Sequence, residues 1–77
     1  MKDDKNIIKD LSKAIGKDLN QVDIINKIDF GLTYKFTDEN LTELGLDLSK
    51  LNLDENKLTL VGEYVQKLQN LKSFYIN

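Results

Sequence analysis

The chain has no cysteine, proline, histidine, tryptophan or arginine. Each absence removes a class of chemistry. Without Cys no disulfide can staple the fold, and no thiolate can bind a metal or attack a substrate. Without His there is no side chain that ordinarily titrates near neutral pH as a general base. Ser12, Ser49 and Ser73 therefore lack a base to activate them. Without Arg, all eleven cations are Lys, so the residue best suited to bidentate phosphate or guanine contacts is missing. Thirteen acids leave a net charge of −2, which gives no electrostatic footprint for nucleic acid. The four glycines are scattered and form no phosphate loop.

Carboxylates are numerous, but a core of this size does not enclose the cleft that a paired-carboxylate hydrolase needs. Asp54, Glu55 and Asn56 are adjacent oxygen donors without the alternating acids, central Gly and terminal Glu of a calcium loop, so they read as a solvated turn. The expectation is a protein that is not an enzyme and holds no cofactor or metal. Asp and Lys crowd the first five residues with no apolar run behind them, and no stretch approaches ~18 consecutive apolar residues. These features predict a single cytoplasmic domain over residues 1–77, without a signal peptide or membrane span.

What is present is periodicity. Ile7, Ile8, Leu11 and Ile15 share one helical face, so residues 5–15 read as a helix closed by Gly16. Asp18 is a candidate cap for a short turn over residues 19–25. From Ile28 to Phe36 the period changes to two, the mark of extended chain. Thr37 then reads as an N-cap before a short helix over residues 38–44, with Leu41 and Leu44 inward and Gly45 closing it. Leu48–Leu53 reads as a strand, Asp54–Asn56 as a turn, and Leu58–Leu60 as extended. Residues 61–71 read as a second helix, and residues 74–76 as a last strand. The fold class is α/β to α+β: an N-terminal helix, then short strands alternating with helices.

Three stretches also repeat at a spacing of 23 residues: Ile25, Ile28, Phe30; Leu48, Leu51, Leu53; Leu71, Phe74, Ile76. A fixed period in the twenties is the signature of a solenoid. Residues 48–58 carry Leu48, Leu51, Leu53, Asn56 and Leu58 at leucine-rich-repeat spacing, and residues 68–76 begin the same pattern again. This block resembles bacterial leucine-rich repeats of the internalin type, best over residues 48–77. The resemblance implies a cap helix at residues 5–15, parallel strands near 28–30, 51–53 and 74–76, and a buried Asn56 amide. Thr33 and the end at Asn77 depart from the ladder of asparagines. A conventional α+β sheet accommodates the same pattern, and so does a mostly helical bundle.

If the repeat positions point inward, their neighbours form an outer face in three rows: Lys27, Lys50, Ser73; Asp29, Asn52, Tyr75; Gly31, Asp54, Asn77. Lys50, Asn52, Asp54, Tyr75 and Asn77 are the candidate partner-binding residues, Tyr75 first because Tyr is enriched at binding hot spots. The end of the chain would leave an open sheet edge, suited to a second copy or a target strand. The expected function is binding of another protein without catalysis, with no direct nucleic-acid or membrane contact. In size and charge the chain is similar to phage-encoded inhibitors of bacterial defence, the anti-CRISPR proteins, which would make the target a nucleic-acid-handling effector complex. The alternative is a capping fragment of a larger leucine-rich-repeat surface protein.

Overall fold

A computed structural model describes residues 3–77. The first helix, α1 (Asp4–Ile15), forms where the apolar stripe placed it. The Asp3 carboxylate caps it by accepting from the Asn6 N–H at 3.0 Å. Gly16, at φ 75°, ends it in the left-handed conformation that Gly adopts without steric cost. Ile7, Ile8, Leu11 and Ile15 are its buried face.

Four strands follow: β1 (Asn20–Gln21), β2 (Leu32–Thr37), β3 (Asn40–Leu46) and β4 (Ser73–Ile76). They form one mixed sheet in the order β1-β2-β3-β4. β1 and β2 are parallel, β2 and β3 antiparallel, β3 and β4 parallel. The parallel β3–β4 pair is joined through a 3-10 turn at Leu48–Lys50 and a second helix, α2 (Glu55–Gln66). A parallel pair requires such a crossover. The fold is a single small α+β domain.

The β2–β3 hairpin replaces the short helix expected over residues 38–44. Asp38 takes φ 59° in a two-residue turn between the paired Thr37 and Asn40. The register then shifts, with Phe36 opposite Leu41 but Lys35 opposite Glu43, so Thr42 is an extra residue. The bulge puts Leu41 on the same face as Leu44 and Leu46, all with no exposed surface. Leu41 and Leu44 are thus three residues apart on one face without being helical. Their face meets Ile7, Leu11, Val61 and Leu68 in the core, with Leu32, Tyr34 and Phe36 packed at its margin. The Leu41 N–H donates to Asp4 Oδ2 at 2.7 Å, which ties the start of α1 to β3. No helix among the described residues is long and apolar enough to cross a membrane.

Several expected elements move. Leu48–Leu53 is not a strand: a 3-10 turn occupies its first half and an extended connection the rest. Residues 28–30 are loop, so of the three repeat stretches only the last enters the sheet, and its parallel partner is β3. Leu53 is half-buried at the core margin, not central to it. Leu58–Leu60, expected to be extended, lies inside α2, which spans residues 55–66 instead of 61–71.

The cause of the last shift is Asp54, whose carboxylate caps α2 by accepting from the Lys57 N–H at 2.9 Å. Asn56 is consequently an exposed first-turn residue and not a buried ladder amide. Asp54→Ala is expected to lower stability by about 0.5–2 kcal/mol through loss of the cap. Asn56→Ala should stay within about 0.5 kcal/mol of the parent. Urea denaturation of the two variants checks the pair, and the reverse ranking would restore the ladder role to Asn56.

Candidate interaction surface

The helices cover one face of the sheet. The other face is built on Gly45. Gly45 pairs with Thr33 on β2 and Tyr75 on β4, so these three positions share that face. Gly31, at φ 57°, breaks the two-residue alternation before β2. Phe30, in phase with Leu32 in the sequence, is thereby turned to the opposite side of the sheet. A Cβ on Gly45 would lie 2.9 Å from Phe30 Cβ and 3.2 Å from Phe30 Cδ2. Phe30 therefore lies directly on the Gly45 backbone.

The Thr33 hydroxyl donates to the Phe30 carbonyl at 2.7 Å and fixes this approach. The Phe30 ring then meets the Tyr75 ring, centroids 6.0 Å apart and tilted by 30°. Such a pair adds about 0.5–1.5 kcal/mol beyond its area. Both rings stay half-exposed. The Lys35–Glu43 ion pair, 3.4 Å, lies across β2 and β3 on the same face.

β4 is the last strand on its side of the sheet. The Asn77 N–H donates to the Leu46 carbonyl at 3.2 Å, and the Asn77 carbonyl accepts from the Leu48 N–H at 2.9 Å. By the alternation of a parallel ladder, Ser73 and Tyr75 also direct their backbone groups to β3. The N–H and C=O groups of Phe74 and Ile76 then point out of the sheet. Phe74 is 39% and Ile76 53% exposed, on the helical side of the strand. The edge Ser-Phe-Tyr-Ile carries no charge and no Pro, the residues with which proteins usually blunt an edge.

The five candidate residues separate. Tyr75 lies on the open face as expected. Lys50 sits near it through Asp29, 3.9 Å from the Lys50 Nζ and adjacent to Phe30. Asn77 extends the β3–β4 ladder, and its amide donates to Asp47 Oδ1 at 3.4 Å. The Ser49 hydroxyl, the Ser49 N–H, the nearby Lys50 charge and Asn77 together hold the Asp47 carboxyl below its usual range. Asn52 is exposed in the connection to α2, and Asp54 is committed to capping it. Tyr75, Lys50 and Asn77 thus lie by the open face and the β4 edge, while Asn52 and Asp54 lie at the approach to α2.

Phe30, Phe74 and Ile76 join them, residues that the inward reading of the repeats had hidden. Ile28, also read as inward, is 95% exposed, and Ile24 is 83% exposed. The Asn26 side chain accepts from the Ile28 and Asp29 N–H groups and shapes this loop. No group of three or more acidic side chains among the described residues is arranged to hold a metal ion.

Compared with known proteins, the chain matches no family model, and no curated protein or solved structure matches it significantly.

Proposed function

We propose that this chain is a non-enzymatic, cytoplasmic protein-binding module that acts as an inhibitor or adaptor of a larger complex. The supporting observation is the uncharged edge strand β4, which joins two kinds of contact. Its open backbone groups suit addition of a partner strand, and Phe74 and Ile76 offer apolar area beside them. On the other side Tyr75, backed by Phe30, supplies an aromatic anchor of the kind that dominates interfaces. The resemblance in size and charge to anti-CRISPR proteins makes nucleic-acid-handling effector complexes the first targets to test. The contact would be with their protein subunits, given a net charge of −2.

The test is capture of candidate effector complexes on immobilised chain, with Tyr75→Ala, Ile76→Lys and the distant Glu63→Gln compared side by side. Loss of the captured complex in the first two variants and retention in the third is the expected result. Equal capture by all three would remove β4 as the working surface. Light scattering of the free chain reports the other occupant, a second copy paired through β4, as a doubled mass that Ile76→Lys abolishes.

A further inference from the structure

At the sheet's opposite edge, α1 and β1 enclose an open groove of about 950 Å³. Lys9, Lys13 and Lys17 line it at intervals of four residues, and among the described residues Asp18 is the only acid in its lining. Its apolar floor comes from Ile8, Leu19 and the half-exposed Tyr34. Three cations against one anion make a local charge of +2 on a chain whose net charge is −2. The helix dipole accounts for a cation in the last turn, where Lys13 lies. It does not account for Lys9, further up the helix, or for Lys17, beyond the Gly16 cap.

We propose that this groove binds a short acidic peptide segment of a partner protein, with one apolar side chain seated against Tyr34 and Leu19. The charge sign selects an anionic partner, and the floor selects one with apolar side chains. A long polyanion is disfavoured on three grounds. The twelve residues of α1 span only about 18 Å. The far end of α1 carries Asp3 and Asp4 beside Asp38 and Glu39, which repel it. The lysines present point charges and lack the planar fork that holds phosphates in place. The groove lies on the other edge of the sheet from β4, so it stands or falls independently of the β4 surface.

The probe is a fluorescein-labelled peptide of Glu residues around one Leu and one Phe, followed by fluorescence anisotropy on the full chain. Controls are the same peptide with Gln for every Glu and a short oligothymidylate. The acidic peptide should bind at least about tenfold tighter than the Gln peptide at low salt, and the advantage should shrink as salt screens the lysines. The triple variant Lys9→Glu, Lys13→Glu, Lys17→Glu should abolish binding, and Tyr75→Ala should leave it unchanged. If the triple variant loses its circular-dichroism signature, Lys9→Gln, Lys13→Gln and Lys17→Gln serve singly, each weakening binding about two- to fivefold. Absence of binding by the acidic peptide, equal binding of the Gln peptide, tighter binding of the oligothymidylate, or lysine variants that bind like the parent would each overturn the assignment.

Discussion

Leu44→Ala is expected to remove about 2–5 kcal/mol of folding stability, the range for deleting a buried Leu side chain and leaving a cavity. Leu44 has no exposed surface and lies on β3 between Tyr34 and Phe74. Its side chain is part of the cluster that joins the sheet to both helices. A domain of this size has a total stability at the low end of about 5–15 kcal/mol, so the variant should be partly unfolded at physiological temperature. Leu53, the position that the repeat register made central, is half-buried, and Leu53→Ala should cost less. Urea denaturation of the two variants ranks them. A Leu44→Ala midpoint equal to the parent's, or a Leu53→Ala loss exceeding it, would mean that the core is centred on the connection to α2 and not on β3.

The parts of this fold that the sequence displayed are those governed by one local rule. The stripe of α1 and its Gly16 cap are legible, as is the alternation of Leu32, Tyr34 and Phe36. The parts it concealed come from single residues that shift a phase. The extra Thr42 converts the spacing of Leu41 and Leu44 from strand-like to helix-like, so β3 reads as a short helix. The turn at Asp38 lacks the Asn-Gly or Asp-Gly pair that usually announces a hairpin. Gly31 reverses the side to which Phe30 points, which moves it from the inner row to the open face.

Asp54 was legible as a polar turn residue, but its capping bond to Lys57 starts α2 earlier than the apolar stripe does. The apolar stripe also outlasts the helix. The Lys67 and Leu68 N–H groups bond to Tyr64 and Val65 in a tightened final turn, which places Leu68 in the core beyond the helix end. The candidate surface was legible at Tyr75, where simple alternation holds, and hidden at Phe30, where it does not.

Gly45→Ala should destabilise the chain by about 1–3 kcal/mol, and the reason lies in backbone proximity. The added methyl would stand 2.9 Å from Phe30 Cβ, an atom that no rotamer change can move. The segment around Phe30 would have to retreat, stretching the Thr33 hydroxyl bond to the Phe30 carbonyl and separating the Phe30 and Tyr75 rings. Gly62→Ala is the control. Gly62 lies inside α2 with open space where its Cβ would go, so alanine there should stabilise by about 0.5–1 kcal/mol.

The two glycine variants should therefore shift the urea midpoint in opposite directions. Phe30→Gly identifies the clash: in that background the cost of Gly45→Ala should fall, because the two changes act on one contact and do not add. Gly45→Ala and Phe30→Gly also bear on binding. Either one dismantles the ring pair that backs Tyr75, so both should weaken capture through the open face while the lysine groove keeps its affinity for the acidic peptide. Additive costs would show that Phe30 does not rest on Gly45. Full capture by folded Gly45→Ala would show that the partner reads the β4 edge without the aromatic pair behind it.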